Sequence, residues 1–307
     1  MYDLIIVGGG PAGASAAVYA ARKRLKTLMI CEEWGGQSTV SSDIQNWIGT
    51  PSISGTALAT ALKTHVESSK GDSLEVVSPD HVESVTTDEL SVTIKTKKGN
   101  SYQSKTLLIT TGSQRRKLDI PGAKEYDQKG LTYCATCDGP LFADQDVAVV
   151  GGGNAAFETA LQLLAYCKTV TLLNRGETFR ADEITVSAAM AHANMRIIKN
   201  AEPTAVRGEQ FVTGLSYKDS ISQKEETLAV TGIFVEIGLL PNTDWLGAAV
   251  SLTPIKQVIV DPKTQRTSHP RIWAAGDCTD GIYHQNNIAA GDAVKALEDI
   301  YMATHRS

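Results

Sequence analysis

No run of apolar residues in this sequence approaches the ~20 that a helix needs to cross a bilayer, so a membrane protein is not expected. An excess of positive charge is also missing. Lys and Arg number 29 against 34 Asp and Glu, a net charge of −5, which argues against a general nucleic-acid binder with its basic footprint. Cysteine is sparse: five residues, an odd count at irregular spacing, unlike the disulfide framework of a secreted domain. The opening MYDLIIVGGG has neither a basic n-region nor a cleavage site; it reads as a strand entering a glycine turn rather than a signal peptide. Low-complexity tracts and short-period repeats are absent. A cytoplasmic protein is the expectation. With 307 residues, 42% of them hydrophobic, the chain exceeds the usual single domain and can bury two cores.

What is present begins at that glycine turn. The strand Leu4-Ile5-Ile6-Val7 runs into Gly8-Gly9-Gly10-Pro11-Ala12-Gly13 and then an alanine-rich helix to about Arg24. Gly8, Gly10 and Gly13 form G-x-G-x-x-G in the strand–turn–helix setting that gives the motif meaning. The first glycine allows the tight turn, the second lets the backbone approach a pyrophosphate, and the third lets helix and strand pack closely. A second strand, 27–31, ends at Glu32, 19 residues after Gly13, where a carboxylate accepts from ribose hydroxyls.

The pattern recurs. Val147–Val150 leads into Gly151-Gly152-Gly153-Asn154-Ala155-Ala156 and a helix over 157–166. This is G-x-G-x-x-A, with Ala156 in the third place. Two such turns imply two dinucleotides on one chain. The strand 169–173 then ends at Asn174 rather than at an acid, and Arg175 and Arg180 follow. Arginines there pair with a 2′-phosphate, which favours NADP over NAD, although two arginines near a helix start are also ordinary surface charge.

Between the turns stands LTYCATCDGPLF, with Cys134 and Cys137 two residues apart. A structural zinc site wants about four ligands, and neither a second CxxC nor a local histidine pair exists, so no metal is expected. CxxC spacing lets two sulfurs close a small ring and commonly depresses a thiol pKa. Asp138 is the ionisable group in the motif, suited to deliver a proton to a leaving thiolate or to serve as a turn residue before Gly139-Pro140. Cys31, Cys167 and Cys278 read as small buried hydrophobes, and Trp34, Trp47 and Trp245 as core or cofactor-wall residues.

Strands at Leu107–Ile109, before Thr110-Thr111-Gly112, and at Ile272–Ala274, before Ala275-Gly276-Asp277, flank the second nucleotide fold, and a helix follows from about Gln285 to Met302. The expected fold is therefore α/β, two Rossmann-like dinucleotide-binding domains with the second inserted into the first. Residues 1–115 and 247–307 form the first and 116–246 the second, with Arg115-Arg116-Lys117 and Asn242-Thr243-Asp244 as polar crossing points.

The ordered set GGGPAG (8–13), GGQ (35–37), DIQNWIG (43–49), the TTG turn (110–112), CATCDGPLF (134–142), GGGNAA (151–156), IFVEIGLLPNT (233–243) and AAGDCTDGIYHQ (274–285) resembles the low-molecular-weight thioredoxin reductases. It is also similar to the flavin-bearing C-terminal part of the bacterial alkyl hydroperoxide reductase flavoprotein. The resemblance runs over essentially the whole chain. It implies FAD in the first domain and NADPH, or NADH in the peroxide-reductase branch, in the second. Carried over by motif, Gly8, Gly10, Ala12 and Gly13 hold the FAD pyrophosphate. Glu32, Gln37 and Asn46 lie around its ribose and isoalloxazine ends, Asp277 takes the ribityl chain and Gln285 the pyrimidine edge. Gly36, Thr111, Gly112, Gly276 and His284 belong to the same set. Gly151, Gly153, Ala156, Arg175 and Arg180 would hold the pyridine nucleotide. Cys137 is the sulfur that faces the flavin, and Cys134 the one that attacks a partner disulfide. The implied protein is a homodimer acting on a separate thioredoxin-like or glutaredoxin-like protein, without nucleic acid or membrane.

Departures from the family pattern gather around the nicotinamide path. The acidic-serine pair after the second glycine triplet is Asn154-Ala155, the His-Arg-Arg run is Asn174-Arg175-Gly176, and the Arg-Gln before the last helix is His284-Gln285. Asn286-Asn287 follow where small residues are usual. These leave two alternatives: the same flavin and dithiol chemistry fed by ferredoxin or another flavin, and a non-enzymatic flavoprotein redox sensor.

Overall fold

The computed structural model describes residues 1–41, 44–133 and 135–305, with backbone alone at Thr136, Cys137 and His305. The chain divides into two compact units, residues 1–114 with 240–307, and residues 115–239.

Unit 1 opens with β1 (Tyr2–Val7), α1 (Pro11–Arg22), β2 (Thr27–Ile30), α2 (Gly55–Ser69) and β3 (Leu74–Val77). A meander of β4 (Val82–Thr87), β5 (Val92–Thr96) and β6 (Ser101–Ile109) follows, and β7 (Ser113–Arg115) carries the chain out. The sheet order is β3-β2-β1-β6-β5-β4. Both faces of the parallel part are covered, as such sheets require. Period-two alternation divides β1 between them: Leu4 and Ile6 pack into the core under α1, while Ile5 and Val7 pack into the core that includes Val92 and Ile94 of β5. Each fully buried Leu or Ile of this kind contributes roughly 1.5–3 kcal/mol of transfer free energy.

Unit 2 holds β8 (Leu131–Thr132), the single turn α3 (Ala135–Asp138), β9 (Asp146–Val150), α4 (Asn154–Leu164), β10 (Thr169–Leu173), α5 (Glu183–Met190) and β11 (Met195–Ile198). Next come β12 (Ala201–Gly208), β13 (Val212–Asp219), β14 (Glu225–Leu228) and β15 (Gly232–Val235). Five parallel strands stand in the order β11-β10-β9-β15-β8, and β12-β13-β14 form a separate antiparallel sheet. The same alternation sends Ala148 and Val150 to one core and Val147 and Val149 to the other. Helix α4 starts at Asn154, directly on the glycine turn, three residues earlier than its apolar periodicity suggests.

The return runs through β16 (Leu239–Pro241), and unit 1 closes with β17 (Ile272–Ala274), parallel to β6, and α6 (Asn286–His305). The crossings pair as a two-stranded ribbon, β7 with β16. The return falls at Leu239–Leu240, before the polar run Asn242-Thr243-Asp244 expected to serve it. Those residues are instead built into unit 1. Asn242 and Thr111 exchange two hydrogen bonds, from Asn242 Nδ2 to Thr111 O (3.0 Å) and from Thr111 Oγ1 to Asn242 O (2.8 Å), and buried Thr243 donates to Lys256 O (2.7 Å). Helix α6 is anchored where buried Trp273 donates its indole N–H to Asp299 (2.9 Å), and its first residues reach the site described next.

Candidate functional site

Strand register builds the unit 1 site. Val7 pairs with Ile30 and with Ile109, and Ile109 with Ala274, so four strands end level and the residues after them form one rim. Open α/β sheets bind ligands outside such carboxyl ends. A cavity of about 570 Å³ lies there.

The three glycines of the first turn do different work. Gly8 has φ +128° and a Cβ on it would stand 2.1 Å from Thr110 O; a Cβ on Gly13 would stand 2.0 Å from Gly8 O. Both positions are closed by backbone. Around Gly10 a Cβ would meet nothing within 4 Å, leaving open approach to the cavity it lines. That is the division of labour a dinucleotide turn needs. Gly13 is buried beneath the turn and does not line the cavity, whereas Gly8, Gly10 and Ala12 do.

From the turn the cavity extends two ways. Beyond β2 it is lined by Glu32, whose Oε2 lies 2.7 Å from His81 Nδ1. His81 had no signal in the sequence. It arrives because β3 pairs with β2 (Ile30 with Val77), which carries the residues after β3 to the Glu32 end.

On the other side Gly36, Gln37, Thr111, Gly112, Gly276 and Asp277 line the wall, joined by Ser113, Trp245 and Asn286. The buried Ser113 Oγ has no hydrogen-bond partner among the described residues, an unfilled demand beside the cavity. Burial pushes the Asp277 carboxyl up, opposed by His284, whose Nδ1 is 3.7 Å away and whose Nε2 lies 3.0 Å from Gly281 O. Asn46, His284 and Gln285 do not line the cavity themselves; Asn46 Nδ2 donates to Gln285 Oε1 (3.0 Å), and Gln285 directly precedes the wall residue Asn286. A glycine turn open at its second position, an acid at each arm and an unpaired hydroxyl fit a dinucleotide carrying a polar chain.

In unit 2 the level ends are those of β9, β10 and β15, Val150 pairing with Leu173 and Val235. Gly151 has φ +150°, with Glu236 O 2.3 Å and Ala156 Cβ 3.0 Å from the position of a Cβ; Gly153 is open. The 174–182 segment is tied across this turn. Arg180 N–H donates to Gly152 O (2.8 Å), Asn154 Nδ2 to Asp182 Oδ2 (2.9 Å) and Asp182 N–H to Asn154 Oδ1 (2.7 Å). The Asn174 side chain is spent on the same loop, donating to Gly176 O and Thr178 O. Arg175 and Arg180 are exposed.

Glu236 follows β15 in the chain, its side chain 7% exposed. Burial pushes its carboxyl up, opposed by Arg115 and Thr159. Arg115 Nη1 stands 2.7 Å from Glu236 Oε1, Thr159 Oγ1 donates to the same oxygen (2.9 Å), and Arg115 also donates to Tyr133 O. No motif in the sequence links these residues.

Cys134 lies outside the described residues, and the Cys137 backbone belongs to α3. Asp138 Oδ2 accepts from buried Thr132 Oγ1. The other three cysteines are buried, and burial pushes Cys167 and Cys278 up to about 11 and raises Cys31 as well. A thiol held protonated does not act as a nucleophile. In the folded, reduced protein these three should resist iodoacetamide at neutral pH and react once denaturant is added, as peptide mapping would read. Among the described residues no cluster of three or more His, Cys, Asp or Glu could hold a metal, and no helix is long and apolar enough to cross a membrane.

Two dinucleotide folds, one inserted in the other with a CxxC segment in the insert, define a class of two-nucleotide oxidoreductases. The family model for pyridine nucleotide-disulphide oxidoreductases matches residues 2–293, and the chain belongs to that family. It is 38% identical over 295 residues to an NADH dehydrogenase of Bacillus subtilis strain 168 and 40% identical over 296 residues to the F component of the alkyl hydroperoxide reductase of Escherichia coli K12. Each match covers 96% of this chain but 57% of the relative, so the chain spans little more than half the length of these curated proteins. Thioredoxin reductase of Lactococcus lactis superposes with a TM-score of 0.94 at 31% identity, covering all of both chains. The enzyme of T. acidophilum gives 0.91 at 33%, covering 99% of this chain and 98% of its own. The fold is that of a thioredoxin reductase-type flavoprotein oxidoreductase; proteins of this type bind FAD and use NADPH.

Proposed function

We propose that the chain is an FAD-dependent protein-disulfide reductase that passes electrons from NADPH to Cys134 and Cys137 and on to a thioredoxin-like or glutaredoxin-like protein. The observation that carries this reading is the meeting of Gly10, Glu32 and Asp277 on one cavity in a chain that also carries a CxxC pair. Residues 1–114 with 240–307 are then the FAD unit and 115–239 the pyridine nucleotide unit. When bound, FAD supplies a two-electron relay between nicotinamide and disulfide.

The protein's own residues do the rest. The backbone at Gly8, Gly10 and Ala12 receives the pyrophosphate, Glu32 the adenosine ribose, and Asp277 the ribityl hydroxyls. Gly36, Gln37, Thr111, Gly112 and Gly276 shape the wall beside the ring, and Asn46, His284 and Gln285 close its rim. In unit 2 Gly151, Gly153 and Ala156 form the second pyrophosphate turn. Exposed Arg175 and Arg180 follow a strand that ends in neutral Asn174, which supports a 2′-phosphorylated nucleotide. The Cys134–Cys137 disulfide opens on accepting two electrons, Cys137 toward the flavin. The Cys134 thiolate attacks the partner disulfide, and Cys137 resolves the mixed disulfide. Asp138, held by Thr132, is placed in the chain to give the proton that the departing thiolate takes up.

Anaerobic titration of the FAD-loaded protein tests the donor. NADPH should bleach the flavin spectrum fully, and a thioredoxin-like disulfide protein should restore it. If the flavin stays oxidised under excess NADPH and NADH but is bleached by reduced ferredoxin, the pyridine nucleotide reading is wrong and the ferredoxin-fed alternative stands.

A further inference from the structure

Asn286 and Asn287 stand at the start of α6 where the family pattern has small residues, and their side chains are engaged differently. Asn287 is consumed locally: its Nδ2 donates to Asn46 O (2.6 Å), and its Oδ1 accepts from Ile48 N–H (3.3 Å). Both ends of that amide serve to hold the 46–48 segment against the helix.

Asn286 is not consumed. It lines the cavity of unit 1 together with Gln37, Ser38 and Asp277. Its Oδ1 accepts from Ser38 Oγ at 2.8 Å, and Ser38 is itself buried. An amide has an acceptor end and a donor end, and Ser38 takes the acceptor. With Oδ1 turned to Ser38, Nδ2 has no hydrogen-bond partner among the described residues, and its two N–H donors remain for whatever occupies the cavity. A second contribution has the same sign. Asn286 is the first residue of a 20-residue helix, whose amino end carries partial positive charge.

Resting on the reading of this cavity as the FAD site, we propose that the Asn286 side-chain amide donates a hydrogen bond to the pyrimidine edge of the flavin and raises its midpoint potential. Gln285 is the residue that the resemblance assigns to that edge, and Asn286, the next residue in the chain, lines the cavity. Accepting electrons increases the negative charge on that part of the ring, so a fixed donor there binds the reduced cofactor more tightly than the oxidised one. Hydrogen bonds to charged groups are stronger than those to neutral groups by an amount comparable to the ~1.4 kcal/mol that a tenfold preference represents. The preference for reduced over oxidised flavin is therefore about tenfold, which for a two-electron couple is about 30 mV. Ser38 is the positioning residue, since its donation to Oδ1 is the contact that goes with Nδ2 turned to the cavity.

The test compares the FAD-loaded parent protein with Asn286→Ala, Asn286→Asp and Ser38→Ala by spectroelectrochemical titration, alongside FAD affinity of each apoprotein. Asn286→Ala removes the donor and should lower the midpoint potential by about 30 mV, a tenfold change in the couple. Asn286→Asp keeps the shape and the bond from Ser38 but replaces the N–H donors with a carboxylate oxygen, so it should lower the potential further. Ser38→Ala should give a smaller drop than Asn286→Ala. A residue that merely packs the helix start would weaken both oxidation states alike, changing affinity while leaving the potential where it was. An unchanged potential in both Asn286 variants with flavin bound would therefore overturn the proposal. Should Asn286→Ala fail to load flavin, Asn286→Asp decides alone. If the parent apoprotein itself takes up no FAD, the cavity reading falls and this inference falls with it.

Discussion

Replacing either Cys134 or Cys137 by serine should lower disulfide reductase turnover by about a thousandfold or more, because an alcohol neither forms the disulfide nor supplies a thiolate. Reduction of the bound flavin by NADPH should stay within about twofold, since the glycine turns and the acids proposed to hold the nucleotides are untouched. The two variants should differ in one respect. Cys137→Ser keeps the sulfur assigned to attack but removes the one that resolves the product. It should therefore accumulate a mixed disulfide with a thioredoxin-like partner, visible as a single heavier band on a non-reducing gel and lost on adding dithiothreitol. Cys134→Ser should form no such band. Turnover retained in either variant would remove the dithiol from the mechanism, and a band in Cys134→Ser alone would reverse the two roles.

The second large effect is on stability. Arg115→Ala leaves the Glu236 carboxylate buried without its cation, a change that costs about 3–5 kcal/mol when one partner of a buried pair is removed. Thr159 remains as one hydrogen-bond donor, which places the expected loss toward the lower end. The pH dependence follows from the raised pKa of Glu236, whose first cause is burial. The folded state holds this proton more tightly than the unfolded chain does, so folding is favoured when the carboxyl is neutral and loses stability as pH rises through the folded value. Without Arg115 nothing cationic opposes the burial, and the folded value rises further. The deficit of Arg115→Ala relative to the parent should thus be large at neutral pH and shrink in mild acid. Urea unfolding of both proteins at the two pH values reads it directly. A deficit that grows on acidification would show that the pair is not what the substitution breaks. The double variant Arg115→Met, Glu236→Met should recover much of the loss, because apolar replacements of similar size leave no charge to desolvate.

Some of this was legible in the residues alone, and the reason is locality. A strand running into Gly-x-Gly-x-x-Gly and a helix is a contiguous object, so Gly8 and Gly151 announce their turns without knowledge of the rest of the chain. Gly276 and Asp277 were readable for the same reason, standing just past the end of β17. His81 and the Arg115–Glu236 pair are different in kind. His81 meets Glu32 only because β3 lies beside β2, and Glu236 meets Arg115 across 121 positions of sequence. Polar character misled at the return crossing. Asn242 and Thr243 look like solvent-facing linker residues, yet their polar atoms are satisfied inside unit 1 while the crossing runs through Leu239 and Leu240. The dithiol is the opposite case, a reading that the motif carries by itself, since Cys134 lies outside the described residues.

The crossings hold one more consequence. Within unit 1 the exit and re-entry are tied together, Asn242 N–H donating to Gly112 O (3.0 Å); within unit 2 Arg116 N–H donates to Gly238 O (2.8 Å). Each unit thus closes its own seam, and every strand of either parallel sheet is supplied from its own side. Domains whose ends lie close together tolerate insertion and removal. Residues 115–239 have the layout of a cassette: a gene fragment spliced between Gln114 and Leu240 would cut the β7–β16 ribbon but leave both parallel sheets whole. On the proposed assignment of the two units, a lineage built this way could exchange its electron source while keeping its flavin housing intact.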